Sequence, residues 1–249
     1  MESMLIRDRY KVVQVLRVQE NYAAVRAVDI QDRERPGRLI NLYEGPLLHQ
    51  YGPVYMNLDG QECPLFREYF LEGSTLAAVF DNTVGQPIDR VFYGGDRWEW
   101  RTRLEAADTL LHAALTLSNL PPEISCAALL SENVRPDPLQ KKTELRFLVV
   151  PLQGMSVREA ALLAGDQVQK ILPRRWTSRP AELRFLDCVE RGEYRTLASL
   201  YAAWKAVREG IETEYIQWEN SNLVMKLLST AKRLLHAARR GIAGWIHRF

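Results

Sequence analysis

Cysteine and histidine are both scarce in this chain. Its 249 residues include three cysteines and four histidines, and Cys63, Cys126 and Cys188 lie far apart. An odd number of widely spaced cysteines argues against a disulfide framework, and the lack of a Cys-x-x-Cys pair argues against a zinc site. The sequence therefore predicts no metal centre, and a small buried thiol is the expected state of Cys126.

The chain also lacks a long run of apolar residues. No stretch approaches the roughly 18 consecutive apolar residues of a membrane-spanning helix, and the N-terminal residues lack the apolar segment of a signal peptide. The composition, with 47% hydrophobic and 26% charged residues, is typical of a globular protein. We therefore expect a cytoplasmic protein without a spanning segment.

The hydrophobic periodicity changes near Thr75. Before this residue, segments rich in β-branched and aromatic side chains predict about five antiparallel strands, at Tyr10–Val18, Ala23–Ile30, Arg38–Tyr43, Val54–Leu58 and Leu65–Phe70. After it, apolar spacing and capping signals predict helices over Trp98–Ser118, from Ser156, from about Pro180 and over Thr196–Glu209, with a short strand at Leu145–Val150. The pattern predicts an α+β fold with a small sheet followed by a mainly helical part.

Four segments share their order with a known protein family. They are RYKVVQVLRV at 9–18, LFREYFLEGSTL at 65–76, ISCAALLSENV at 124–134 and LRFLVVPL at 145–152. In this order they resemble the first strand, the fifth strand with the hinge, the catalytic loop and the strand before the D-F-G motif of eukaryotic-type (Hanks-type) protein kinases. The resemblance implies a two-lobed protein-kinase-like fold. Its N-lobe would span residues 1–72 with a reduced or absent αC helix, and a reduced helical C-lobe would span 73–215.

The resemblance also shows that catalytic positions of the family are not kept. Cys126, Ala127 and Ala128 stand where the catalytic loop has His, Arg and Asp, and the D-F-G motif is replaced by Val149, Val150 and Pro151. Asn133 matches a metal ligand of the family, but no carboxylate occurs between Glu144 and Glu159 to hold magnesium beside it. With alanine at the position of the general base, a substrate hydroxyl has no proton acceptor.

The phosphate-binding residues of the family are missing as well. No glycine occurs from Val18 to Val25, and no lysine occurs from Val12 to Gln140. Asn41 or Tyr43 would therefore occupy the position of the third-strand lysine. The hinge is placed at Glu68, Tyr69 and Phe70, whose main chain could still contact an adenine. Because phosphoryl transfer needs phosphate-binding amides, a cation, metal-binding carboxylates and a base, we expect no kinase activity and neither ATP nor magnesium as a cofactor.

The last part of the chain is basic and amphipathic. Residues 223–249 contain six Lys or Arg and no Asp or Glu, whereas the rest of the chain is mildly acidic. We predict a helix over 216–249 with apolar and cationic faces. Its expected contacts with an anionic membrane surface or a partner protein are Lys226, Lys232, Arg233, Arg239, Arg240, Trp245, Arg248 and Phe249. Docking on the chain's own core remains an alternative, and an acidic body does not favour nucleic acid.

Two functions are compatible with these patterns. The first is a non-catalytic pseudokinase scaffold or interaction module, whose basic C-terminal helix attaches it to the periphery of a membrane or to a protein partner that the sequence does not identify. Cytoplasmic pseudokinase domains of bacterial secretion and signalling systems provide the analogy. The alternative is a divergent kinase or nucleotide-binding regulator with relocated catalytic groups. It would require a carboxylate near Asn133 in space, such as Glu132 or Asp137.

Overall fold

The N-terminal half is a curled antiparallel sheet. The structure, a computed structural model, describes residues 4–221. The strands are β1 (Leu5–Ile6), β2 (Tyr10–Gln19), β3 (Tyr22–Asp29), β4 (Gly37–Tyr43), β5 (Phe66–Glu72) and β6 (Thr75–Asp81). They form one six-stranded sheet in the order β1-β2-β3-β4-β6-β5. Strands β1 and β6 are additional to the predicted strands, and the sheet extends beyond residue 72, the predicted end of the N-lobe.

A helix follows the third long strand. This helix, α1 (Gly45–Met56), has 12 residues, and it begins with a proline in its first turn, where a missing N–H costs nothing. Tyr51 and Tyr55 are spaced four residues apart and are fully buried, with the Tyr51 ring 4.4 Å from that of Tyr43. The predicted strand at Val54–Leu58 is thus wrong. A helix is present here, so the αC helix that we expected to be reduced or absent is not absent. A short apolar segment with aromatic residues does not distinguish a buried helix face from a strand.

The C-terminal half is mainly helical. Its helices are α2 (Ile88–Val91), α3 (Trp100–Leu115), α4 (Pro122–Ala128), α5 (Val157–Ile171), α6 (Pro180–Glu190) and α7 (Leu197–Asn220). A two-stranded hairpin of β7 (Val134–Asp137) and β8 (Lys142–Leu145) lies between α4 and α5. The predicted α+β order is confirmed, with a sheet first and helices after it.

Helix α3 is the centre of the helical half. The predicted apolar stripe is buried at Leu104, Ala107, Leu111 and Ala114. Helix α7 packs against α3, and α5 and β8 also contact it. The predicted helix start at Ser156 is present, because the Ser156 hydroxyl accepts a hydrogen bond from the Glu159 N–H at 3.1 Å. One apolar core continues from the inner face of the sheet into these helices.

Helix α7 is longer than the sequence pattern predicted. We expected it to end at Gly210, but it continues to Asn220 because Ile211 and Tyr215 bury their side chains against the helical half. Tertiary packing of this kind outweighs the weak helix propensity of one glycine. The tail residues predicted to contact a membrane or partner lie beyond residue 221, outside the described residues.

Candidate functional site

The connection between the two lobes lies after β6. Residues 82–87 join the sheet to α2, whereas the predicted hinge residues Glu68, Tyr69 and Phe70 lie inside edge strand β5. The hinge prediction is therefore wrong. Glu68 instead accepts hydrogen bonds from the Tyr10 hydroxyl and from Arg9, the latter at 3.1 Å. The missed signal is the two-residue turn at Gly73, which separates β5 from a second, fully buried strand.

The turn between β2 and β3 approaches helix α1. Gln19 pairs with Tyr22 across a two-residue turn, and Asn21 adopts a positive φ of 58°. The Asn21 carbonyl accepts a hydrogen bond from the Glu44 N–H at 2.9 Å, immediately before α1. A Cβ on Gly45 would lie only 3.1 Å from the Asn21 amide oxygen, so this contact depends on the glycine. The turn that covers phosphates in kinases is tied here to the first helix of the chain.

Asn41 occupies the centre of the space between the lobes. It lies on β4 with no solvent exposure, at one of the two positions predicted for the missing lysine. Its Nδ2 donates to the Phe147 carbonyl at 2.9 Å. Its Oδ1 accepts from the Val149 N–H and from the Tyr22 hydroxyl, both at 2.9 Å. A single amide side chain therefore joins both sheet and helical half through three buried hydrogen bonds.

Tyr43 continues this connection on the same strand. Its hydroxyl donates to the Val149 carbonyl at 2.7 Å and lies 2.7 Å from the Tyr55 hydroxyl. Complete burial raises the pKa of Tyr43 well above its usual value, so the phenol stays neutral. Together with Asn41, it fixes the segment from Phe147 to Val149 against the inner face of β4. The polar side chains of this face thus bind the chain's own backbone.

The catalytic-loop segment is partly helical. Cys126, Ala127 and Ala128 are fully buried at the end of α4 and therefore cannot contact a substrate in this conformation. Burial raises the pKa of the Cys126 thiol, which reduces its thiolate fraction and its nucleophilicity. Asn133 is also fully buried, and its Nδ2 donates to the carbonyls of Ala127 at 2.6 Å and Leu148 at 3.0 Å. It holds the end of α4 to the segment after β8.

The residues after β8 differ from the predicted arrangement. The predicted strand over Leu145–Val150 ends at Leu145, so Arg146 follows the strand directly, and its N–H donates to the Asn133 carbonyl at 2.9 Å. Arg146 is therefore the first residue after the strand, and Val149, predicted to stand at the D-F-G position, lies three residues further along the chain. Val149 and Val150 are buried, and Pro151 is half-buried. The apolar segment has the composition of a strand. Its backbone, however, forms hydrogen bonds with the side chains of Asn41, Tyr43 and Asn133 rather than with another strand.

Two stacked aromatic rings lie between the segment after β8 and strand β6. The ring of Phe147 stacks on that of Phe80 at a centroid distance of 5.1 Å and an interplanar angle of 3°. Both side chains belong to the continuous core, with Phe80 fully buried and Phe147 nearly so. The segment after β8 therefore fills the space beneath β4 and β6 with its own side chains.

The carboxylates considered as relocated catalytic groups are already engaged. Glu132 forms an ion pair with Arg17 at 3.2 Å, which links the helical half to β2. Asp137 lies at the far end of β7 and accepts hydrogen bonds from the N–H groups of Leu139 at 3.1 Å and Gln140 at 3.0 Å. Within residues 4–221, no group of three or more His, Cys, Asp or Glu side chains is placed to hold a metal ion.

Four arginines and Glu132 surround the opening between the lobes. Besides its pair with Arg17, the Glu132 residue accepts a hydrogen bond on its carbonyl from Arg135 at 3.0 Å. Burial lowers the pKa of Arg146, and the nearby positive charges of Arg135 and Arg26 lower it further, whereas Glu132 opposes them. The opening of the cleft is thus a region of concentrated positive charge.

Comparisons with known proteins identify the fold. No protein-family model matches the chain, and a sequence search of curated proteins finds no match. The structure is similar to a mutant form of the PknI kinase domain from Mycobacterium tuberculosis, with a TM-score of 0.56 and 11% sequence identity. The match covers 86% of this chain and 99% of that domain. The described residues therefore have a protein-kinase-like fold, and identity this low shows the fold alone. None of the helices within 4–221 is long and apolar enough to cross a membrane.

Proposed function

We propose that this kinase-like chain is a non-catalytic pseudokinase that acts as a scaffold or interaction module. The observation that carries the proposal is the use of Asn41, Tyr43 and Asn133 to bind the backbone of residues 147–149. In an active kinase the corresponding space has to admit nucleotide phosphates and their metal ions. Here the same space holds the chain itself, and the Asn41 amide, the Tyr43 hydroxyl and Asn133 Nδ2 already have partners.

The charges next to this space support the same proposal. Phosphoryl transfer requires carboxylates that bring magnesium to the phosphates, and Arg146 carries the opposite charge at the position after β8. A guanidinium repels a divalent cation, so the change does more than remove a ligand. The substitution at Ala128 removes the proton acceptor independently. Restoring activity would require several simultaneous changes at separate positions.

A kinase-like fold without catalysis retains its surfaces for binding. We propose that the basic segment 222–249 provides attachment, either to an anionic membrane surface or to a protein partner, and that the two-lobed body presents a second surface. The support for attachment is the sequence of the segment, with cationic residues such as Lys232 and Arg239 and apolar residues such as Trp245 at helical spacing. Bacterial signalling is the setting that we propose by analogy.

The non-catalytic proposal is tested by the magnesium dependence of nucleotide binding. Thermal unfolding of the full chain would be followed with ATP in excess magnesium and with ATP in excess chelator, at matched ionic strength. We expect the same midpoint in both solutions, because the part of the chain that the structure describes has no group of three or more carboxylate, His or Cys side chains placed to hold a metal ion. A midpoint raised by magnesium and ATP together, and not by either alone, would favour the divergent nucleotide-binding enzyme. An autoradiographic assay for phosphate transfer serves as the activity control.

The attachment proposal needs a separate experiment. Co-sedimentation with vesicles containing anionic lipid would compare the full chain with a chain that ends at Ser221. We expect the full chain to sediment with anionic vesicles and the shortened chain to stay in solution. Equal binding by both chains would show that the segment 222–249 is not required for attachment to the vesicles. Vesicles of neutral lipid distinguish electrostatic attraction from insertion of the apolar residues.

A further inference from the structure

The arginines at the opening between the lobes come from both halves of the fold. Arg17 and Arg26 lie on strands β2 and β3, and Arg135 and Arg146 lie on β7 and directly after β8. The ion pair of Arg17 with Glu132, at 3.2 Å, fixes the distance between the two halves at this point. These arginines are far apart in the sequence, so their side chains come together only in the folded chain.

Burial and hydrogen bonding distinguish Arg146 within this group. It is half-buried, and its Nε is fully buried without a hydrogen-bond partner among residues 4–221. The Nε of Arg135 is buried in the same way. A buried guanidinium nitrogen without an acceptor costs free energy, because water that solvated it in the unfolded chain has been removed. Arg135 at least donates from its other nitrogens to the carbonyls of Gly85 and Glu132.

The charges in the group do not balance. Arg146 is affected by the positive charges of Arg135 and Arg26 and by the carboxylate of Glu132, which Arg17 already pairs with. Arginine stays protonated under all ordinary conditions, so this group cannot relieve its repulsion by losing a proton. Binding of an anion removes the repulsion and supplies acceptors at once. Guanidinium groups are well suited to tetrahedral oxyanions, to which they donate paired hydrogen bonds.

We propose that Arg146, with Arg26, Arg17 and Arg135 around it, forms a metal-free binding site for a small phosphate-containing anion. The ligand class is inorganic phosphate or a small phosphate monoester, held by guanidinium donors at the opening between the lobes. Binding there joins groups from the sheet to groups from the helical half, and therefore stabilises the closed arrangement of the two. The site is independent of magnesium, since Arg146 disfavours a cation at this place.

The site is tested by calorimetric titration of the full chain with inorganic phosphate in excess chelator. Chloride at equal ionic strength provides the reference, and the same titration is made with adenosine monophosphate. We expect saturable binding that is weakened about tenfold or more in Arg146→Gln, the loss of one charge-assisted contact. Glu132→Gln removes the competing carboxylate and should strengthen binding. Arg158→Gln changes an exposed arginine on α5 and should leave the affinity unchanged.

The outcomes separate the proposal from general ion effects. Absence of saturable phosphate binding would overturn it, and so would equal affinities of the wild type, Arg146→Gln and Arg158→Gln. Equal affinities for phosphate and adenosine monophosphate would support a site that binds the phosphate group alone. Tighter binding of adenosine monophosphate would support a site that also contacts the nucleoside. Thermal unfolding without ligand shows whether each variant is folded. These results do not decide the non-catalytic proposal, which is tested by the magnesium dependence of nucleotide binding.

Discussion

Replacement of Asn41 by alanine tests the interpretation of the space between the lobes. The change removes three buried hydrogen bonds, to the Phe147 carbonyl, the Val149 N–H and the Tyr22 hydroxyl. Each such bond contributes about 1 kcal/mol net, so we expect the free energy of unfolding to fall by about 3 kcal/mol. The loss is larger if water does not reach the backbone groups that are left without partners. It is a substantial part of the roughly 5–15 kcal/mol that stabilises a domain.

Urea unfolding followed by circular dichroism measures this loss. The transition midpoint of Asn41→Ala should move to lower urea while the slope stays the same. Asn57→Ala is the matched control, because Asn57 makes one exposed hydrogen bond, to the Pro53 carbonyl at 2.9 Å, and should cost less than about 1 kcal/mol. Equal midpoints of the two variants would show that the hydrogen bonds of Asn41 do not stabilise the fold. Asn41 would then face an open space rather than hold the segment after β8.

Three further predictions concern the sheet and its connection to α1. Arg38 is 3% exposed and pairs with the buried Asp29 at 3.3 Å, so Arg38→Met should reduce the free energy of unfolding in urea by about 3 kcal/mol. Burial tends to raise the pKa of Asp29, but hydrogen bonds from Arg9 and Gln31 hold it below its usual value, while those from Arg35 and Arg38 lower the pKa of Asp32 to about 2. These carboxylates therefore take up protons at higher pH in the unfolded chain than in the folded one. The free energy of unfolding should fall as the pH drops from about 4 to about 2, and it should fall less steeply in Arg38→Met. Unfolding experiments at several pH values measure this. Gly45→Ala should destabilise the fold by about 1 kcal/mol, because Gly45 has a positive φ of 51°. Gly52 lies on the same helix with open space around an added Cβ, so Gly52→Ala should stabilise the fold by up to about 1 kcal/mol. The opposite result would contradict the start of the helix at Gly45.

Local patterns were sufficient for much of the fold. The apolar spacing along α3 predicted its buried face, and the capping box at Ser156 predicted the start of α5. The hairpin between β2 and β3 followed from its β-branched strands and polar turn. These features depend on residues close together in the sequence, and for that reason a single sequence reports them well.

The errors arose where tertiary contacts decide. The end of helix α1 resembles a strand in sequence, because burial of Tyr51 and Tyr55 depends on the sheet. The hinge predicted at 68–70 lies inside β5, because the local pattern does not show that a further strand, β6, follows it. At the site, the strand predicted to reach Val150 ends at Leu145, so Val149 takes a different position. The hydrogen bonds that decide this position join Asn41 to Phe147 and Val149, more than 100 residues apart in the chain. No local pattern carries such pairings.

Equilibrium dialysis of the full chain against labelled ATP would show whether the cleft between the lobes binds a metal–nucleotide complex. Parallel cells would contain excess magnesium or excess chelator. We expect magnesium to add no bound nucleotide, because residues 4–221 hold no group of three or more carboxylate, His or Cys side chains placed for a metal ion and residues 147–149 pack beneath β4. Saturable binding of one ATP per chain that requires magnesium and disappears with chelator would contradict it.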